Sequence, residues 1–266
     1  MARVFVSGSS TGLGLLTGKE LLASGHDVVF HARNAARAED LRREAPQATA
    51  IVVGDIGTIG GALDIADQVN AHGAMDAVIH NAGVGYGGAL KRTAEGHPDI
   101  LAVNVLAPYI LTALLSRPKR LVYLSSGMHR TEPHLDDILW QTRRWNGSLA
   151  YSESKLYVTA LSFAIARYWP DATANAVDPG WVPTRMGGPG APDDLVEGCA
   201  TQVALAASHD SRLSGLTGEY LHHMATQAPS KVSRDVDFQD RLLDVCRELT
   251  GIALRVRTRE GRLEKP

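Results

Sequence analysis

The chain has 266 residues, of which 44% are hydrophobic and 21% charged, and a formal net charge of −2 at pH 7. Such a composition suits one globular α/β domain spanning 1–266 and argues against a nucleic-acid-binding surface. Cys199 and Cys246 lie far apart in no metal-ligand spacing, and no apolar run is long enough for a secretory leader or a membrane span, so a cytoplasmic protein with no metal, disulfide framework or membrane partner is expected.

Short apolar, β-branched runs alternate with helical patterns along the chain: "RVFVSG", "DVVFHAR", "TAIVVGD", "DAVIHNAG", "RLVYLSS" and "TANAVDPG", with a further strand near "GEYLHH". Continuously apolar runs belong to strands buried on both faces. The rhythm therefore predicts an α/β, doubly wound Rossmann-type fold, with a parallel sheet of about seven strands flanked by helices on both faces.

Directly after the first strand, "SGSSTGLG" places Gly8, Gly12 and Gly14 at the entrance to a helix. Glycines permit a sharp turn and close backbone approach, and the free N–H groups of a helix N-terminus attract a pyrophosphate. A plain tight turn reads the same way. The second strand says more. An NAD-selective site ends this strand with an Asp or Glu roughly 20 residues after the glycines. Here no acid lies between Asp27 and Glu39, and Arg33 and Arg37 flank the expected position. A guanidinium matches a 2′-phosphate in charge and fork geometry, which favours NADP(H) over NAD(H). The alternative, two solvated arginines opening a helix, fits Arg37 better than Arg33.

Two later helices, "DILAVNVLAPYILTALL" and "LYVTALSFAIARYW", are apolar on more than one stripe and must each bury a second face. A homodimer or homotetramer interface is expected to cover it, with the C-terminal segment of the same chain as the alternative. Pro108 cannot donate to the carbonyl of Asn104, so the first helix should kink and leave that carbonyl able to hold a water. A bent packing helix with a satisfied asparagine is the alternative. Residues 127–148 read as an inserted surface loop and the Gly- and Pro-rich 183–198 as a mobile substrate lid. Trp140 and Trp145 are expected to pack, whereas Trp181 and Met186 suit either packing or an apolar substrate pocket. His222 and His223, adjacent on the last strand, should face opposite sides and hold no metal.

In "AYSESK", Tyr151 precedes Lys155 by about one helical turn, so both can face one cleft. A phenol with a pKa of about 10 serves as an acid or base near neutrality only when a positive charge stabilises its phenolate, which Lys155 is placed to do. The same spacing also arises between residues that merely share a helix face.

The glycines at Gly8, Gly12 and Gly14, "NAG" at Asn81–Gly83, "SS" at Ser125–Ser126, "YSESK" and "DPGWVPT" occur in an order that resembles the classical short-chain dehydrogenase/reductase family over essentially the whole chain. The likeness is greatest to the retinol-dehydrogenase-like and protochlorophyllide-reductase-like branch, which also carries an insertion before the tyrosine helix. The resemblance implies a catalytic set of Asn104, Ser126, Tyr151 and Lys155. Tyr151 would be the general acid in reduction, and Lys155 would lower its pKa and hold the nicotinamide ribose. Ser126 would hydrogen-bond the substrate carbonyl while Ser125 turns away, and Asn104 would anchor a water. Implied cofactor contacts come from Gly8, Ser9, Ser10, Gly12, Leu13, Gly14, Arg33, Asp55, Asn81, Gly83, Tyr151, Lys155, Gly180 and Thr184. Ser7 and His80 replace the family's usual threonine and first asparagine without removing a role. The expected function is an NADP(H)-dependent oxidoreductase that interconverts a carbonyl and an alcohol on a small molecule by hydride transfer. A reductase of a C=C bond in a ring system, or a non-catalytic NADP(H) sensor, is the alternative.

Overall fold

The structure, a computed structural model, describes residues 1–254; the last residues of the expected 1–266 unit lie outside the described residues. Its strands are β1 (Arg3–Val6), β2 (Asp27–Ala32), β3 (Ala50–Val53), β4 (Ala77–His80), β5 (Arg120–Leu124), β6 (Thr173–Asp178), β7 (Tyr220–His222) and β8 (Ala225–Gln227), in the sheet order β3-β2-β1-β4-β5-β6-β7-β8. Every pairing from β3 to β7 is parallel. The chain order reverses between β1 and β4, and in such sheets ligands bind outside the carboxyl ends of the strands at that crevice.

Helices cover both faces because successive strand residues point opposite ways. Val4 and Val6 of β1 pack with Leu21 of α1 (Gly12–Ala23), Leu41 of α2 (Ala35–Glu44) and Leu205 of α7 (Leu195–Ala207). Between them, Phe5 points to the other side, against Ile65 and Val69 of α3 (Ile59–Ala71) and Leu111 of α5 (Ala107–Leu114). In β5, Val122 and Leu124 join the first layer, and Leu121 and Tyr123 pack under the long helix α6 (Gly147–Tyr168).

The eighth strand was not expected. β8 pairs antiparallel to β7 through a turn at His223 and Met224, whose φ values are 43° and 66°. No glycine or asparagine marks that turn and all three β8 residues are exposed, so neither turn chemistry nor hydrophobicity announces it. Because His223 lies in the turn and not on the strand, its ring stacks on that of His222 at 3.9 Å and does not face the opposite side.

The two helices with extra apolar stripes are covered from within the chain. Helix α9 (Val236–Thr250) lays Phe238, Leu242 and Cys246 into the cluster that holds Tyr109, Ile110, Leu156 and Leu161. The Tyr109 hydroxyl donates to the carbonyl of Ile252 at 2.7 Å. The C-terminal segment thus packs on both helices within the chain.

The stretch 127–148 is no simple surface loop. It contains two 3-10 turns, Gly127–His129 and Leu135–Asp137, and buries Leu135, Ile138 and Trp140. Burial opposes ionisation of Asp137, but the backbone N–H groups of Arg143, Gln141 and Thr142 outweigh it and hold this carboxyl well below the usual range. The expected packing role fits Trp140, whose ring lies 4.0 Å beneath the Arg143 guanidinium. The proposed lid, 183–198, runs past its loop into the first turn of α7, so residues 195–198 are helical.

Candidate active site

The glycine turn sits at the carboxyl end of β1 and opens α1. Gly8 has φ +63°, and a Cβ there would come 2.7 Å from the Cα of Ala82, so a side chain is excluded both by conformation and by space. A Cβ on Gly14 would overlap the Asn81 amide, which donates to the carbonyls of Ser7 (2.9 Å) and Gly8 (3.1 Å). The Ser7 hydroxyl accepts from the backbone of Ala82 at 3.0 Å, so serine does here what a threonine would. Thr11, which caps α1, makes no side-chain capping bond, and no acidic residue stands in the first helical turn. Such an uncapped N-terminus beside a glycine cradle fits an anionic pyrophosphate.

Most of the expected cofactor residues line this rim. Thr184 reaches across toward Gly12, and Leu13 packs toward Gly198 of α7. Asp55 closes the end of β3, accepting from Gly57 at 3.0 Å. Gly180, at φ +81°, turns the chain after β6. Ser9 is wholly buried: its hydroxyl donates to Val6 O (2.8 Å) and accepts from His31 N (2.8 Å), so it builds the turn from inside and does not face the cleft as expected. Ser10, next to it, is half-buried. Arg33 is exposed and joins none of the ion pairs seen among the described residues, whereas Arg37 lies 3.8 Å from Asp40 on its own helix.

The second cluster lies where β4, β5 and α6 meet. Asn146 caps α6 by accepting from Leu149, and the helix carries Tyr151, Ser154 and Lys155. Lys155 is buried, its Nζ donates to Leu124 O at 2.8 Å, and burial pushes its pKa down to about 8 against the pull of Asp178. A Cβ on Gly83 would lie 3.7 Å from that Nζ and 3.5 Å from Asn104 Oδ1. Ser125 turns into the protein and bonds Thr159 (2.6 Å), while Ser126, at the end of β5, accepts from Met128 N (3.2 Å) and meets Tyr151.

The expectation that Lys155 lowers the pKa of Tyr151 is not met: Lys155 is not among the groups that shift it. Burial pushes Tyr151 up to about 12; the Ser126 hydrogen bond opposes this, and Asp178 and Tyr86 add to it. The Lys155 ammonium donates to Leu124 O and lies 5.5 Å from the Tyr151 ring centre, and burial is the largest influence on the phenol.

Asn104 lies in a π-helical turn, Ala102–Leu106, inserted between α4 (Asp99–Leu101) and α5, and this is the form taken by the kink expected before Pro108. Its side chain accepts from Val84 N (2.9 Å) and donates to Val84 O (3.1 Å) and Ser154 Oγ (3.0 Å); Ser154 in turn donates to Tyr151 O (2.7 Å). Asn104 thereby ties the segment after β4 to the tyrosine helix.

Four further residues contribute that motif reading overlooked. Asp178, inside "DPG", accepts from Gly180 N (3.0 Å) and the Tyr220 hydroxyl (2.9 Å) and places a carboxylate beside the Tyr151–Lys155 pair. Tyr86 packs edge-on against Tyr151, with ring centres 5.3 Å apart. Glu153, inside "YSESK", is buried and bound by Arg143 (2.6 Å) and His134 (2.7 Å), which fastens the insertion to α6. His31 contacts the glycine turn. Only Asp178 and Glu153 carried a signal, as acids within otherwise apolar or motif-bearing stretches.

The family model described as short chain dehydrogenase matches residues 2–125. The chain is similar to Short-chain dehydrogenase chry4 of Gibberella zeae, with 38% identity over 260 residues covering 96% of this chain and 99% of that protein. It is also similar to human Retinol dehydrogenase 14, with 28% identity over 292 residues and 94% and 86% coverage. Among solved structures, the crystal structure of an uncharacterized protein from Mycobacterium Paratuberculosis superposes with a TM-score of 0.81 at 25% identity, covering 96% of each chain.

Proposed function

Since this chain belongs to the short-chain dehydrogenase family of oxidoreductases, in its retinol-dehydrogenase-like branch, we propose that it is an NADP(H)-dependent enzyme interconverting a carbonyl and an alcohol. The observation that carries this reading is the convergence of Ser126, Tyr151 and Lys155 at the carboxyl ends of β4 and β5, beside the turn formed by Gly8, Gly12 and Gly14. Fold likeness alone would not suffice, because function resides in the site.

In the direction of reduction, the bound nicotinamide supplies the hydride. Ser126 and Tyr151 orient the substrate oxygen, and Tyr151, protonated at neutral pH, gives it the proton. Lys155 holds positive charge beside the ribose and the forming phenolate, and Asn104 keeps Val84 and Ser154 in register around them. Arg33, exposed past the end of β2 and in no ion pair among the described residues, is the residue proposed to meet the 2′-phosphate.

For the substrate, Tyr86, Met128, Trp181 and Met186 are partly exposed apolar groups on the segments around Tyr151, which favours an apolar small molecule. Trp181 Nε1 donates to Gly187 O at 2.8 Å, and a Cβ on Gly85 would meet Met186 at 2.7 Å, contacts that support a lid role for this segment. No helix among the described residues is long and apolar enough to cross a membrane.

The test is turnover of a panel of apolar ketones and aldehydes with NADPH deuterated at C4. Deuterium on the carbinol carbon supports the reading. Deuterium at a ring carbon formerly in a C=C bond would replace it with the reductase alternative, and NADPH binding without turnover of any compound would favour the sensor.

A further inference from the structure

The Gly8 peptide is held at both ends, by Asn81 from β4 and by His31 from β2. We propose that His31 is a positioning residue for dinucleotide binding: its neutral imidazole sets the glycine turn that receives the cofactor, and an imidazolium there releases the turn. This rests on the reading of the protein as a dinucleotide-dependent enzyme.

His31 is buried to 2% exposure, with Nδ1 2.9 Å from Gly8 N and Nε2 2.9 Å from Gly54 O. A backbone N–H can only donate and a carbonyl can only accept. Nδ1 is therefore the unprotonated nitrogen and Nε2 carries the hydrogen. One ring links the ends of β1, β2 and β3, at the edge of the sheet where a dinucleotide lies. The main chain repeats the link, His31 N donating to Ser9 Oγ (2.8 Å) and Ser9 N to His31 O (3.2 Å).

A second ring hydrogen would confront the Gly8 N–H donor to donor. The Gly8 carbonyl would remain with Asn81, but its N–H would lose its acceptor, and the tightly packed turn beside Ala82 gives it no other place to go. The turn that supplies N–H groups to a pyrophosphate would open.

Burial lowers the pKa of His31, opposed by the Gly54 carbonyl bond and by Asp55 at the end of β3. Arg33, just past the end of β2, is exposed, and His80 at the end of β4 is pushed down to about 3 by burial and stays neutral. With the folded pKa below the ordinary 6.5, the Gly8 bond is intact at pH 7. It is lost as pH falls through the lowered value.

The asparagine carbonyl oxygen can take the place of Nδ1, whereas the glutamine amide can take that of Nε2, so two substitutions separate the two bonds. Dissociation constants for NADPH and for NADH are measured from pH 5 to 8 on the full chain, with NADH controlling for titration of the 2′-phosphate. For the wild type, the constant for both cofactors should be flat near pH 7–8 and rise by up to about tenfold per pH unit below the imidazole titration. His31→Asn should bind within about twofold of wild type at pH 8 and lose the acid rise. His31→Gln should bind at least about fivefold more weakly throughout.

Equal weakening by both variants, an acid rise retained in His31→Asn, or a wild type with no acid rise over this range overturns the inference. If the variants do not fold, the wild type still decides it by NMR titration of the His31 ring. Saturating NADPH should lower the ring's pKa further, because linkage is reciprocal, and an unchanged titration overturns the inference. A wild type that binds neither cofactor at pH 8 overturns the functional reading and this inference with it.

Discussion

The two ends of the cleft are built differently. At the cofactor end, side chains bond to backbone: Asn81 to Ser7 and Gly8, His31 to Gly8 and Gly54, Ser9 to Val6. At the substrate end, side chains also bond to side chains, as in the Glu153–Arg143–His134 cluster and the pair Asn104–Ser154. Backbone partners are present whatever side chains surround them, so the cofactor end depends on few particular side chains. The substrate end depends on particular partners meeting, which leaves it more open to change by substitution.

That contrast can be broken in several ways. The largest effect expected is at Tyr151, where Phe keeps the ring and removes the proton. Turnover should fall by about 10²–10⁴-fold while NADPH still binds; retention of wild-type kcat would remove Tyr151 from the mechanism. Next is Arg143→Met, which leaves the Glu153 carboxylate buried with only His134 beside it. Chemical denaturation should show a loss of about 3 kcal/mol, and a change below the error of the measurement would mean that the cluster does not fasten the insertion.

A smaller and more selective effect is expected at Arg33. Loss of a charge-assisted bond of about 1.5–3 kcal/mol in Arg33→Ala should weaken NADPH by roughly ten- to a hundredfold and leave NADH unchanged. Equal weakening of both cofactors would count against the 2′-phosphate assignment. The mildest is a pH effect. Lys155, buried and with its pKa pushed down to about 8, is charged below that value and loses its proton above it. The kcat/KM for reduction should therefore be level near neutrality and decline above about pH 8, with no upward limb from Tyr151, which stays protonated there.

Much of this was legible in the chain. The seven parallel strands and the glycine turn follow from apolar runs and turn residues, and the shared face of Tyr151 and Lys155 from helical spacing, all of which are local; Ser126 is named only by the family resemblance. Ser125 turning away also follows, since adjacent strand residues face opposite sides. Other features escaped. β8 has no hydrophobic signal and exists because β7 offers an edge. The insertion reads as polar surface because its charged residues find each other only after α6 presents Glu153 to them.

By itself, then, the sequence determined the layered α/β fold, because burial pattern and helical period depend on near neighbours alone, and its motifs named the residues proposed for the chemistry by resemblance. Tertiary structure decided three other things: that α9 covers the apolar faces of α5 and α6, that Lys155 is turned to Leu124 and leaves burial to govern Tyr151, and that His31 holds Gly8. Each depends on groups far apart in the chain, whose distance and desolvation exist only once the sheet has assembled.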